Sequence, residues 1–392
     1  MTSTSKERRS SAATQRAARH FTRRTILKGA AAAGTVAGIG PWIVRDAFSS
    51  SGELKLFSWG DYIYPDMVAD FEKKTGIKLT VATYGTNNEV FNAMRASEGS
   101  GYDVINPSVT WTPQYVEYEL LQPIDENKVN VDGVIPSIWA SSKSLGGVQN
   151  GKRYNLPFNW GTESIAFDSE ALPLQYGEAS YGTLWEEAMR GKVTVRASSY
   201  MTGLGLYLDA TGQVPSNRML DTYKDEESLR RVYDEILKFA VEKKGWVNQF
   251  WTNAQETEAA FLQNGCVIGE IWDGPGMRMM TDSNGRYRYI AAKEGAITWL
   301  DGIAIPKNAE NVEQAYAYIN WYYTPEAAAL HVVNSGYNSC AAGADKHAGE
   351  VYAKNFAAAY PGDAIDNLWW WPPEDLLLSN IRNEYKDRLL AA

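Results

Sequence analysis

The chain has 392 residues, 22% of them charged and 44% hydrophobic, with 38 Lys and Arg against 47 Asp and Glu for a net charge of −9. Nine of the basic residues and two of the acids fall in residues 1–49, so residues 50–392 hold 29 basic and 45 acidic side chains, a net of −16. A body this acidic repels nucleic acid and anionic lipid, which argues against both as partners, and it is long enough for two lobes of ordinary domain size.

The first feature in chain order is Thr22-Arg23-Arg24-Thr25-Ile26-Leu27-Lys28, followed by an Ala/Gly-rich run from Gly29 to Val44. Basic residues ahead of a short apolar segment are the layout of an export signal, and the paired arginines point to the twin-arginine route. The run is short of the ~20 apolar residues that a spanning helix needs. Ala47-Phe48-Ser49 offers small residues to a peptidase. Residues 1–49 are therefore expected to be a twin-arginine signal peptide and the remainder to work in the periplasm; an uncleaved anchor, as in a membrane-tethered sensor partner, is the competing reading.

Glu53-Leu54-Lys55-Leu56-Phe57-Ser58 alternates as a strand, and Pro65 to Thr75 has helical spacing with Gly76 as its stop. Ile77 to Val81 reads as a second strand, Asn87 to Arg95 as a helix and Tyr102 to Asn106 as a third strand ending at Pro107-Ser108. The spacing further predicts strands over Lys192–Arg196 and Cys266–Trp272, helices over Glu226–Phe239, Gln255–Gln263 and Val312–Tyr323, and a strand at Ile303–Pro306. Alternation of strand and helix predicts an α/β fold with a mostly parallel sheet. Cys266 and Cys340 could pair in an oxidising compartment or remain buried thiols.

Catalytic chemistry has few candidates. Beyond residue 49 there are two histidines, His331 and His347, and no paired metal-ligand spacing. Gly203-Leu204-Gly205 lacks the third glycine of a phosphate loop, and Glu186-Glu187 reads as a solvated helical face. The aromatic load is heavy: 14 Trp and 23 Tyr. Many sit beside Gly, Pro, Asp or Ser, as in Ser58-Trp59-Gly60-Asp61-Tyr62, Trp272-Asp273-Gly274, Trp299-Leu300-Asp301 and Trp369-Trp370-Trp371-Pro372, which places them at strand ends and loops where binding residues concentrate. Aromatic faces attract ammonium groups and a carboxylate among them fixes the charge. Asp301, two residues after Trp299 in an extended segment, shares its face and fits that role, although it could equally begin a turn with Gly302.

In motif order the chain resembles the periplasmic spermidine/putrescine-binding proteins of ABC importers from about Leu54 to its C-terminus. The resemblance is carried by Phe57-Ser58-Trp59-Gly60-Asp61-Tyr62, Phe71-Glu72-Lys73-Lys74-Thr75-Gly76-Ile77, Tyr102-Asp103-Val104, Pro107-Ser108 and Ile297-Thr298-Trp299-Leu300-Asp301-Gly302-Ile303-Ala304-Ile305-Pro306. It implies a two-lobed periplasmic-binding fold without enzymatic activity or cofactor, hinged at crossover strands near Gly161-Thr162 and Trp299-Leu300. The first lobe would comprise residues 50–161 and 300–343, the second 162–299 and 344–392. Ligand would be held between them by lobe closure, with Trp59, Asp61, Tyr62 and Ser108 on one wall and Trp272, Trp299 and Asp301 completing an amine box. Its partners would be permease subunits with an ATPase, and the protein itself would act as a monomer.

The sequence departs from that family where two acids are expected after the strand Val193–Val195. Ser198 and Met201 stand there, with Arg196 close by, and the family's C-terminal glutamine falls within Trp369–Trp371, with Trp371 taken as the ligand-facing member. A bare diamine would leave one ammonium without a counter-ion, which is costly when buried. The expected ligand is therefore zwitterionic, with Asp301 and the Trp faces taking an ammonium and Arg196 with Ser198 taking a carboxylate. γ-Aminobutyrate, related amino acids, betaines and opine-like amines fit this description. A polyamine receptor is the alternative, with an arginine that pairs at the surface, and a cofactor enzyme exported by the twin-arginine route is the reading from another class.

Overall fold

The computed structural model describes residues 52–392, so the expected signal peptide lies outside the described residues. Strands β1 (Glu53–Trp59), β2 (Lys78–Tyr84) and β3 (Val104–Ile105) form a parallel sheet in the order β2-β1-β3. Between β1 and β2 runs the helix Pro65–Thr75. Proline at its first turn needs no hydrogen-bond partner, and Gly76, at φ 73°, takes the left-handed conformation that ends it. Met67 and Phe71, four residues apart, turn the same face into the core, each burial stabilising by roughly 1.5–3 kcal/mol.

After a small hairpin, β4 (Val148–Gln149) and β5 (Lys152–Arg153), comes the longest strand, β6 (Leu156–Asp168), buried along its whole length. The remaining strands are β7 (Val193–Val195), β8 (Val247–Phe250), β9 (Ile268–Trp272), β10 (Tyr287–Ile290), β11 (Ile297–Ile303), β12 (Asn338–Ser339) and β13 (Trp369–Trp370). They form a sheet of order β13-β11-β6-β9-β7-β8, with β10 and β12 also paired to β6. β7 runs parallel to β8 and β9, whereas β6 is antiparallel to β9, β10, β11 and β12. The expectation of a mostly parallel sheet holds within each lobe and fails at this strand.

The reason is that β6 and β11 serve both lobes. Along one edge β6 pairs with β11 from Leu156 to Glu163 and then with β10; along the other it pairs with β12 at Asn159–Trp160 and then with β9 from Glu163. β11 in turn reaches the first sheet through bridges Ser108–Asp301 and Ile105–Ala304. Gly161 sits at the changeover. A Cβ there would lie 2.3 Å from the Trp299 ring and 2.5 Å from Asp273, so the ring closes over the strand only because no side chain intervenes.

Two cores follow from the alternation of side chains. One runs from the first lobe through the crossover strands to one face of the second lobe's sheet, including Phe158, Leu300 and Ile271. The other lies on the opposite face, where Ile165, Phe167 and Ile268 meet the helices Tyr200–Ala210, Glu226–Glu242 and Leu376–Ala391. Gly203 and Gly205 belong to the first of these helices, packed against Glu270 and Met219 respectively, and are not a ligand loop. Glu186 and Glu187 are exposed, on short 3-10 segments rather than a regular helix. Cys266 and Cys340 are both buried free thiols. Among the described residues no helix is long and apolar enough to cross a membrane.

Candidate functional site

The parallel strands of both lobes direct their C-terminal ends at one cavity of about 470 Å³, the position at which open α/β sheets bind ligands. All ten residues singled out from the sequence line it: Trp59, Asp61, Tyr62, Ser108, Arg196, Ser198, Trp272, Trp299, Asp301 and Trp371. Trp59 ends β1, and its indole donates to the Asn106 carbonyl at 2.9 Å. Ser108 follows β3, and Asn87, at the start of the helix Asn87–Ala96, donates to its hydroxyl and accepts from its N–H. Trp371 leaves β13, held by its N–H to Thr298; Trp369 turns inward and donates to the Arg218 carbonyl. Ser198 is exposed at the rim.

On the first-lobe wall two carboxylates are lined by hydroxyl donors. Tyr62 and Ser108 each donate to Asp301 at 2.5 Å, one to each oxygen, and Tyr337 donates to Asp61 at 2.7 Å. Burial pushes the Asp301 carboxyl up to about 7, opposed by those two hydroxyls, and raises Asp61 for the same reason. Among the described residues no basic side chain lies within 4 Å of either carboxylate. Trp299, Tyr62 and Tyr337 form a triangle of rings, with centroid distances of 6.3 Å (Trp299–Tyr62), 5.3 Å (Trp299–Tyr337) and 5.4 Å (Tyr62–Tyr337), and the buried indole N–H of Trp299 has no partner. Behind this wall His331 is buried against the Tyr62 carbonyl and Asn159; burial lowers its pKa to about 4, so it packs as a neutral ring.

The second-lobe wall is built differently. Arg196, at the end of β7, is half-buried and points into the cavity, contrary to the alternative of a surface-paired arginine. Its guanidinium lies 4.5 Å from the Trp272 ring centre and 5.5 Å from that of Trp251, and reaches across to donate to the Gly85 carbonyl of the first lobe at 3.2 Å. Met201, by contrast, is buried in the second-lobe core.

Sequence reasoning missed the acid at this end. Glu163 on β6 lies directly opposite Trp272 on β9, is 2% exposed and lines the cavity, accepting from the Ser199 hydroxyl. Burial pushes its pKa up to about 7, against the pull of Arg196 and Ser199. The second end therefore does have a carboxylate, on β6 and not on the loop after β7 where the resemblance led acids to be expected. Glu270, two residues before Trp272 on the same face of β9, is buried with one oxygen unpartnered; burial and the neighbouring Glu163 hold its pKa well above the usual range. A glutamate inside a strand otherwise buried throughout was the available signal. Tyr337, Asn87 and Trp251, also in the lining, carried none. Among the described residues no group of three or more His, Cys, Asp or Glu could hold a metal ion.

Comparison with known proteins identifies the family and the fold. Residues 66–359 match the family described as bacterial extracellular solute-binding protein. The chain is 24% identical over 325 residues to spermidine/putrescine-binding periplasmic protein 1 of Haemophilus influenzae, covering 82% of this chain and 84% of that protein. It is 25% identical over 283 residues to the putrescine-binding periplasmic protein SpuD of Pseudomonas aeruginosa, covering 70% and 74%. Among solved structures, the spermidine/putrescine ABC transporter substrate-binding protein PotD from Streptococcus pneumoniae superposes with a TM-score of 0.67 at 22% identity, over 86% of this chain and 98% of that one. The binding protein AgtB from A. tumefaciens R10, in complex with agropinic acid, does so with a TM-score of 0.64 at 17% identity, over 87% and 98%. The two-lobed fold and the resemblance to polyamine-binding proteins, as a divergent member, are thereby borne out.

Proposed function

The chain belongs to the bacterial extracellular solute-binding protein family, and on that premise we propose that it captures a small amine-bearing zwitterion for an ABC importer. γ-Aminobutyrate, a betaine or an opine-like amine would suit the cleft. The observation that carries this reading is the pairing of unlike walls: Asp301 with hydroxyl donors and, among the described residues, no basic side chain within 4 Å on the first lobe, a guanidinium aimed into the same cavity from the second. An ammonium would replace the protons and hydroxyl donors around Asp301 and Asp61 and lie against Trp59, Tyr62 and Trp299. A carboxylate would take the N–H groups of Arg196 that Gly85 leaves free, with Ser198 at the rim.

Closure would turn on β6 and β11 near Gly161 and Trp299, with residues 50–161 and 300–343 moving against 162–299 and 344–392. The Arg196–Gly85 and Gln114–Glu374 hydrogen bonds would then join the two lobes. Export by the twin-arginine route to the periplasm, action as a monomer and delivery to permease subunits with an ATPase complete the reading. The Arg23-Arg24 motif and the periplasmic relatives support it. No cofactor and no catalytic step are required.

A second reading, a putrescine or spermidine receptor, is favoured by Glu163, which gives the second end an acid, and by the names of the relatives. Calorimetric titration of the purified protein with γ-aminobutyrate and with putrescine separates them. Tight binding of γ-aminobutyrate alone is expected; tight binding of putrescine alone would make the protein a polyamine receptor.

A further inference from the structure

We propose that the second-lobe end of the cleft is itself an ammonium subsite, and that the protein fills it with its own Arg196. This rests on the reading that the cleft takes an amine, and it adds which end a ligand's cation can use. A cation subsite needs an aromatic face and a nearby carboxylate with little competing water. Both are present at the second wall. Glu163 and Trp272 are direct cross-strand partners, so their side chains leave the sheet on the same side, next to each other. Trp251 adds a second aromatic face and packs edge-on against Trp272, 4.7 Å between ring centres.

The occupant is already part of the chain. The turn after β7 folds back, with the N–H of Ser199 bonded to the carbonyl of Arg196. One turn thus supplies both the guanidinium over Trp272 and the hydroxyl that holds Glu163. The guanidinium stacks on the indole face as a ligand cation would, and its bond to Gly85 spans the cleft as a ligand's would. Among the described residues Arg196 has no acid within 4 Å, so its charge is balanced by Glu163 at longer range. The first wall has the same ingredients, aromatic faces and buried carboxylates, but among the described residues no cation projects into the cavity beside Asp301; Arg278, outside the lining, acts on Asp61 at longer range. The cleft therefore has two cation positions, one open and one taken, and a diamine's second ammonium would meet a guanidinium.

Removing the side chain should open the second position. Calorimetric titrations with putrescine and with γ-aminobutyrate would be run on the parent, Arg196→Ala, Arg196→Gln and the double variant Arg196→Ala/Glu163→Gln, each checked for folding by its circular dichroism and melting curve. Arg196→Ala and Arg196→Gln are expected to gain at least about tenfold in putrescine affinity, roughly the worth of one desolvated cation–aromatic contact. The double variant is expected to lose that gain. If the parent binds γ-aminobutyrate and neither single variant gains putrescine, the guanidinium is only a latch to Gly85 and the proposal is overturned while the zwitterion reading stands. Tight binding of putrescine by the parent would overturn it too. A parent that ignores γ-aminobutyrate, with single variants that gain putrescine through Glu163, would uphold the filled subsite and remove the zwitterion. Failure of every protein to bind either probe would sink both.

Discussion

The two walls of the cleft are made from the same parts and finished differently. On the first lobe, Asp301 and Asp61 meet Tyr62, Ser108 and Tyr337, which donate protons but bring no charge. On the second, Glu163 faces Ser199 and the guanidinium of Arg196 across the Trp272 ring. Hydroxyls can turn away or share their protons when a cation arrives; the guanidinium leaves only by giving up its bond to Gly85 and its place on the Trp272 ring. On the proposed reading, charge recognition in this cleft would be set less by how many acids line it than by whether a cation of the chain already projects into the cavity beside them.

The sharpest way to break the contrast is to neutralise the open wall. Asp301→Asn keeps the shape but presents an amide nitrogen where Tyr62 or Ser108 now donates. An amine would lose its counter-charge while remaining desolvated, a loss of about 3–5 kcal/mol, or roughly a hundredfold to several thousandfold in affinity. Stability should move the other way or hardly at all, because burial already disfavours the charged form of Asp301. Titration calorimetry with γ-aminobutyrate, alongside a melting curve, would check both. A variant that binds as tightly as the parent removes Asp301 from the site.

Protonation gives the next largest effect. The Asp301 carboxyl is pushed up to about 7 by burial, so below neutral pH the ligand-free cleft holds a proton that an ammonium must displace. Amine affinity should fall as pH drops through 7, by up to about tenfold per unit, with proton release visible as a dependence of binding heat on buffer. Ligand-free stability has the opposite sense. A carboxyl raised in the folded state contributes stability that is fully present below its unfolded pKa of about 4 and is lost as pH rises through 7. The melting temperature of the free protein should therefore decline between about pH 4 and 7 and level off above that, and less so when the protein is saturated with amine. Glu163 titrates in the same range but with Arg196 beside it. Glu163→Gln should leave the pH dependence of amine affinity largely in place, whereas Asp301→Asn should remove it.

The strands behind the first wall were legible because they announce themselves: β1 and β2 alternate, Trp59 ends β1, and Asp61 and Tyr62 follow at once, while the expectation that these residues and Ser108 face a ligand came from the family resemblance. Asp301 could be placed because Trp299, two residues earlier on an extended strand, shares its face. The second wall was half legible. Arg196 stood out where acids were expected, but Glu163 lay inside β6, whose 13 buried residues show no alternation because the strand is covered on both sides. Its antiparallel partners were equally hidden, since β6 exchanges β11 for β10 and β12 for β9 along its length, and such sharing is a property of distant segments. The left-handed Gly76 is written locally; the need for Gly161 arises from Trp299 and Asp273, more than 100 residues away.

The smallest effect should come from Tyr337, which donates to Asp61 with nothing else on the wall depending on its hydroxyl. In Tyr337→Phe the ring stays wedged against Gly274 and between Tyr62 and Trp299, so packing is kept. What is lost is one hydrogen bond to a carboxylate, about 1.5–3 kcal/mol when the acceptor is ionised and less when it is protonated. Burial already raises the pKa of Asp61 and the Tyr337 hydroxyl opposes that rise, so the variant's Asp61 should hold its proton more firmly. The free protein then melts somewhat lower, while a bound ammonium can donate in place of the missing hydroxyl. Amine affinity should change by less than about fivefold, under 1 kcal/mol. A large loss would mean that Asp61, rather than Asp301, carries the ligand's charge and that the open position lies one carboxylate further from the crossover strand.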